Sequence, residues 1–240
     1  MIRGAIFDMD GTLLDSNGHW EKAPDAFLAS LGKQAQPGLA QVIFDMTLPE
    51  AADYLIREYG VEQTPEEILA GVNKAMEEFY RTETPLKDGV RELIDELQMR
   101  GIPLIIATVT DRPLVEVALN RYGLLDYFEG MVTAAEVGAG KNGPAIFLEA
   151  AKRLHAKPGE ILVFEDALHA IKTAKEAGFV TVGVYDWVSE AKQEEMKQTA
   201  DVYLESFTDL TPLWQKIGGG EAPKEQKEQK EKKGWFRRKK

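Results

Sequence analysis

The sequence predicts an α/β protein: a parallel sheet with helices on both faces, interrupted after its first strand by an all-α insert. Two patterns carry this expectation. From Pro85 to Val184 short apolar runs rich in β-branched residues alternate with amphipathic helical stretches, which is how a parallel sheet with crossover helices reads in sequence. Between Ser16 and Glu83 only helical signals occur, so that stretch forms a small bundle rather than part of the sheet.

The first strand is the run Ala5 to Phe7, which delivers Asp8-Met9-Asp10-Gly11-Thr12 into a loop. In the insert, Thr47-Leu48-Pro49-Glu50 and Thr64-Pro65-Glu66-Glu67 have the spacing of capping boxes ahead of amphipathic segments. Asp88 to Arg100 is an amphipathic helix stopped by Gly101, and Pro103 to Val109 a β-branched strand ending at Thr108. A helix over Arg112 to Tyr122 closes at Gly123, a short strand covers Gly130 to Thr133, and a helix runs from Pro144 to His155. Ile161 to Phe164 is a strand ending in Glu165-Asp166; a helix to Ala177, a stop at Gly178 and the strand Phe179 to Val184 follow. This gives a core of residues 1–15 and 84–217, a helical insert of 16–83, and a charged tail of 218–240. The tail runs Gly-Gly-Gly into Glu/Lys/Gln-rich sequence that cannot bury enough apolar surface to fold.

Composition narrows the chemistry. There are no cysteines, which removes disulfides, thiolate metal sites and a cysteine nucleophile. Any metal must be held by oxygen or imidazole. The net charge is -11. Residues 221–240 carry nine Lys/Arg against four Asp/Glu, a balance of +5 that leaves -16 on the remainder. So acidic a body disfavours nucleic acid as a partner, and an anionic substrate needs a local positive site, for which a divalent cation is the simplest candidate. No run approaches the roughly 18 apolar residues of a membrane span, and the start is too short in apolar residues for a secretory signal. A cytoplasmic monomer acting on a small molecule is the expectation.

Polar residues fall where such a sheet binds ligands. Asp8, Thr108 and Asp166 each lie at or just beyond the carboxyl end of a predicted strand. Asp8 and Asp10 alternate along an extended segment and so can face one site, about 7 Å apart along the backbone. Each residue also has a plain structural reading. An Asp-x-Asp pair caps helices from exposed loops, Glu165-Asp166 suits a helix N-terminus, Thr108 is an ordinary strand residue, and most lysines are merely solvated. For Asp8 and Asp10, the strand before them and Gly-Thr after them favour a site.

Taken together, four motifs in order, Asp8-Met9-Asp10-Gly11-Thr12, Thr108 after an apolar strand, Lys141 after Gly138-Ala139-Gly140, and Glu165-Asp166 after Ile-Leu-Val-Phe, resemble the haloacid dehalogenase superfamily over roughly residues 1–210. The branch is that of phosphoglycolate phosphatase, sugar phosphatases and β-phosphoglucomutase. The resemblance implies a Rossmann-like core with an all-α cap and a Mg²⁺-dependent phosphatase for a small organic phosphate monoester. It implies that Asp8 attacks phosphorus to give an aspartyl-phosphate, while Asp10 protonates the leaving oxygen and later activates water. A carboxylate attacks a phosphate dianion only when their repulsion is relieved, so electrostatics asks for the cation as well. The implied Mg²⁺ ligands are the Asp8 carboxylate, the Asp10 backbone carbonyl and the Asp166 carboxylate, with Glu165 acting directly or through water. Thr108 and Lys141 would hold the phosphoryl group.

Where the resembling family has a small residue and glycine in the helix after its last motif, this chain has Ala167 and Ala170; Lys141 is followed by Asn142-Gly143-Pro144 instead of a Pro-x-Pro pattern. The dehalogenase members use one aspartate and no metal, and the phosphonate-cleaving members lack the second acid, so Asp10 argues against both. A β-phosphoglucomutase-like mutase remains the alternative. Its hinge histidine position holds Trp20 here, with His19 one residue away, which favours hydrolysis. A non-catalytic binding protein would have no need of all four motifs. Arg112 reads as a surface helix start, Trp20 as core, and His155 and His169 as helical residues without metal partners. The Gly-Trp-Phe-Arg-Arg-Lys-Lys end has the aromatics and cations for contact with an anionic membrane surface, against a plain solubilising role that is the preferred reading.

Overall fold

A computed structural model of the chain describes residues 1–43, 46 and 48–218. It contains two compact units: residues 1–13, 86–109 and 126 onward form one, and residues 14–85 with 110–125 form the other. The Thr47 capping box and, from residue 219 on, the charged tail lie outside the described residues.

The first unit holds a six-stranded sheet of β1 (Gly4–Phe7), β2 (Leu104–Thr108), β3 (Met131–Thr133), β4 (Ile161–Glu165), β5 (Val180–Val184) and β6 (Val202–Leu204). Every pairing is parallel, in the order β3-β2-β1-β4-β5-β6. Strands β1, β2 and β4 are buried at every position, which is why they read as unbroken apolar runs instead of alternating ones. On one face Phe7 stacks on Phe164, its register partner, at 4.3 Å between ring centroids. On the other, Ile6, Ile105 and Val163 pack with Ile146, Phe147 and Ala150 of the helix Ala145–Arg153. Each such large side chain contributes about 1.5–3 kcal/mol by leaving water.

The chain adds β2 and β3 on one side of β1, then crosses to place β4, β5 and β6 on the other. The order reverses between β1 and β4, and the carboxyl ends of strands at such a point border a crevice. Gly89 precedes the helix Val90–Met99 with φ 82°, and a Cβ there would lie 2.4 Å from the carbonyl carbon of Phe207. Only glycine satisfies both conditions.

The second unit comprises the helices Asn17–Ser30, Leu39–Ile43, Leu48–Tyr59, Pro65–Thr82 and Arg112–Arg121. The strand–helix alternation assigns the last of these to the sheet; in the structure it clusters with the helical unit. Thr64 forms the expected capping box: its hydroxyl accepts from the Glu67 amide, and the Glu67 carboxylate accepts from the Thr64 amide. Phe27, Leu28, Leu55 and Ile68 form the unit's core. Arg121 donates to the carbonyls of Tyr80, Thr82 and Thr84, tying its helix to the end of Pro65–Thr82. Trp20 is half-buried rather than core and donates its ring N–H to the Tyr80 hydroxyl at 3.0 Å. Back in the sheet unit, His155 stands past the end of its helix with φ 51°, not within it, because the chain turns there toward Pro158.

Within the sheet unit the Lys87 amide donates to the Leu13 carbonyl at 3.0 Å, and within the helical unit the Asp15 amide donates to the Pro85 carbonyl at 3.0 Å.

Candidate active site

All six residues singled out by the motifs lie in the sheet unit. Asp8 follows the last residue of β1, and its amide donates to the Phe164 carbonyl of β4 at 3.0 Å. Glu165 ends β4 and Asp166 follows it. The strand pairing therefore delivers these three acids side by side. Asp8, Glu165 and Asp166 are all buried, and each offers a carboxylate oxygen within 4.8 Å of the others.

Lys141 reaches the same place from the loop after the short helix Ala134–Val137, whose end is turned by Gly138 in the left-handed conformation. Its ammonium is buried, donates to Asp8 Oδ1, and lies 2.6 Å from Glu165 Oε2. Glu165 also accepts from the Ala167 amide at 3.3 Å, so one carboxylate both pairs with the lysine and holds the backbone just ahead of the helix Leu168–Glu176.

The electrostatics follow from burial. Loss of water raises the pKa of Asp8, opposed by Lys141 and reinforced by Asp10. Burial, then Asp8, push Glu165 well up, and burial, Asp8 and Asp186 push Asp166 up to about 7. Burial alone would lower the Lys141 pKa, but the charges of Asp8 and Glu165 more than reverse that, and it is raised. One cation thus faces three mutually repelling acids in a low-dielectric setting. The all-oxygen donor set and the surplus of negative charge are what a hard divalent cation such as Mg²⁺ requires.

Asp10 is half-buried, and its carboxylate is not one of the three clustered groups. Its charge nonetheless acts on Asp8. Thr108 closes β2, paired in register with Thr133, and is fully buried. Arg112 and His19 belong to the helical unit. His19 Nδ1 lies 3.1 Å from the Thr84 hydroxyl and its ring stacks on Phe79. His169 is exposed on its helix.

Three residues near the acids carry no role in the sequence reading. The Thr12 hydroxyl donates to Asp166 Oδ1 at 3.0 Å, both groups being buried. Lys87 and Asp186 form an ion pair at 2.9 Å, with the Asp186 side chain wholly buried. Thr12 was in plain view in the first motif; Lys87 and Asp186 fit no motif, and only the fold brings them together.

Residues 2–178 match the haloacid dehalogenase-like hydrolase family. The chain belongs to that family. Among similar members, a bifunctional riboflavin kinase/FMN phosphatase of Arabidopsis thaliana is 30% identical over 212 residues, covering 85% of this chain and 53% of that protein. The chain therefore spans about half the length of that bifunctional relative. It spans 99% of validoxylamine A 7'-phosphate phosphatase of Streptomyces hygroscopicus subsp. limoneus, at 30% identity and with 91% of this chain covered. Among solved structures, CbbY of Rhodobacter sphaeroides in complex with phosphate superposes with a TM-score of 0.77 at 25% identity, covering 88% of this hydrolase and 97% of that chain. The sheet and the order of its strands are thus those of a haloacid dehalogenase-like hydrolase, with a Rossmann-like core.

Proposed function

We propose that this hydrolase is a Mg²⁺-dependent phosphatase acting on a small organic phosphate monoester through an aspartyl-phosphate on Asp8. One observation supports this above the rest: three buried carboxylates have oxygens within 4.8 Å of one another, and two of them, Glu165 and the candidate nucleophile Asp8, pair with one buried lysine. The relatives' names add that members of similar sequence hydrolyse phosphate esters as different as FMN and validoxylamine A 7'-phosphate.

In this reading an Asp8 carboxylate oxygen bonds to phosphorus as the ester P–O bond breaks, and Asp10 gives its proton to the departing alkoxide. Asp10 then takes a proton from water, the water oxygen bonds to phosphorus, and Asp8 is released with inorganic phosphate. Asp8, Asp166, Glu165 and the Asp10 backbone carbonyl would hold the cation. Bound there, it supplies the positive charge that lets an anionic nucleophile approach an anionic ester. Lys141 keeps Asp8 aligned and pairs with the phosphoryl oxygens, and the Thr108 hydroxyl donates to one of them. In this reading the helical insert, residues 16–83, serves as a cap that shuts out bulk water and selects the ester. We place the enzyme in the cytoplasm, as a monomer.

The test is a screen of phosphorylated metabolites for phosphate release in the presence and absence of Mg²⁺, with Asp8→Asn as the blank. Release should require the cation and fall by about a thousandfold or more in the variant. Turnover that survives in Asp8→Asn would defeat the proposal, and isomerisation of a hexose phosphate faster than release would make the enzyme a mutase.

A further inference from the structure

Asp166 and Asp186 both lie just past the carboxyl ends of neighbouring strands, β4 and β5, which pair as far as Glu165 with Gly183. Asp186 is wholly buried and faces Lys87, whose side chain is largely buried too. Its Oδ1 accepts from the Val188 amide at 3.1 Å, and its backbone carbonyl accepts from the Gln193 side chain at 3.1 Å. One bond thus holds the carboxylate and the other the residue's backbone. Oδ2 lies 2.9 Å from the Lys87 ammonium, which also donates to the Tyr185 carbonyl.

This pair is linked to the acid cluster through the chain. The Lys87 amide is bonded to the Leu13 carbonyl, and the residue before Leu13 is Thr12, whose hydroxyl holds Asp166. The charges of both residues act on Asp166.

Buried ion pairs are poor stabilisers, because desolvation offsets most of their attraction and neutral replacements are often as stable. A pair kept in such a position is better explained by what its field does. We propose that the Lys87–Asp186 pair is a positioning and charge-balancing element beside the Asp8–Glu165–Asp166 cluster, in which Asp186 offsets a Lys87 charge that would otherwise weaken the cluster's hold on its divalent cation, an inference that rests on reading that cluster as a cation site. Neither residue touches the cation or the substrate. Groups one layer behind metal ligands commonly alter affinity by about 10–100-fold.

The sign of the effect distinguishes this from a packing role. Asp186→Asn keeps the acceptor for the Val188 amide but leaves Lys87 as an unopposed positive charge, so cation binding should weaken by about tenfold. Lys87→Met leaves the negative partner and should bind the cation as tightly as wild type or more tightly. The double variant Lys87→Met/Asp186→Asn removes both charges and should recover to within a few-fold of wild type. The measurement is isothermal titration of Mg²⁺ into the full-length, substrate-free protein at pH 7.5, with circular dichroism to verify folding.

If the double variant bound as weakly as Asp186→Asn, or if Lys87→Met bound less tightly than wild type, the pair would be acting through packing and the inference would be wrong. The Lys87→Met comparison decides the matter even if Asp186→Asn does not fold. Saturable wild-type binding that Asp186→Asn leaves unchanged would overturn this inference alone. Absence of saturable binding to the wild type would overturn the cation reading and this inference with it.

Discussion

Lys141 brings one positive charge to a cluster of three carboxylates, and the hydroxyl of Thr12 brings a single hydrogen bond to the member farthest along the motif order. The two contacts differ in kind. Lys141 contacts Asp8 and Glu165, so it holds a nucleophile candidate and a ligand candidate at once. Thr12 only orients Asp166. Thr12→Val keeps the volume and removes the donor, leaving a buried carboxylate oxygen without that partner. The variant should lose about 1 kcal/mol of stability and bind Mg²⁺ about tenfold more weakly, as urea unfolding and calorimetric titration would show. An unchanged affinity would mean that Asp166 is held by its neighbours without help from the hydroxyl.

The sheet elements allow sharper tests of stability. Gly89→Ala must adopt a left-handed φ and bring a methyl within 2.4 Å of the Phe207 backbone. Strain alone costs about 1–3 kcal/mol, and since the opposing atoms are backbone the contact adds to it, so the thermal midpoint should fall by several degrees. Asp201, just ahead of β6, accepts from the Thr181 amide at 3.0 Å and its hydroxyl at 2.9 Å. Partial burial works upward on its pKa, but these hydrogen bonds and Lys175 outweigh it, and the folded value is lowered. A lowered carboxylate pKa adds stability that is present above the unfolded value and is lost as pH falls through the folded one. The stability gap between wild type and Asp201→Asn should therefore be widest near neutral pH and narrow below pH 4, as paired urea titrations would show.

At this scale much was legible in the sequence. Fully buried strands such as Ile161–Glu165 leave unbroken apolar runs, and their ends mark the site. Strand β6, only Val202–Leu204, is too short to show a period, and it forms because β5 offers it a partner. The helix Arg112–Arg121 has the spacing of a sheet helix, but the bonds that tie it to the helical unit come from Arg121 and from carbonyls about forty residues earlier. No local pattern reports such a partner. The Lys87–Asp186 pair was hidden for the same reason.

For the molecule as a whole, the net charge of -11 and the buried acids pull in one direction. A divalent cation that binds the folded chain and not the unfolded one must raise its stability, by about 2.7 kcal/mol at a hundred times its dissociation constant. For a chain of this size that is on the order of 5 °C or more in the thermal midpoint. Excess Mg²⁺ should give that shift over EDTA, and Asp166→Asn should abolish it; equal midpoints in differential scanning calorimetry would speak against the cation site. No helix among the described residues is long and apolar enough to cross a membrane.

The paired amide bonds Lys87 to Leu13 and Asp15 to Pro85 give the helical segment the anatomy of a cassette. Its two ends leave and rejoin the sheet unit at adjacent rungs, so its interior can lengthen, shorten or be exchanged for that of a cousin while the anchorage stays the same. An engineer who wished to transplant the segment would cut at the same two seams.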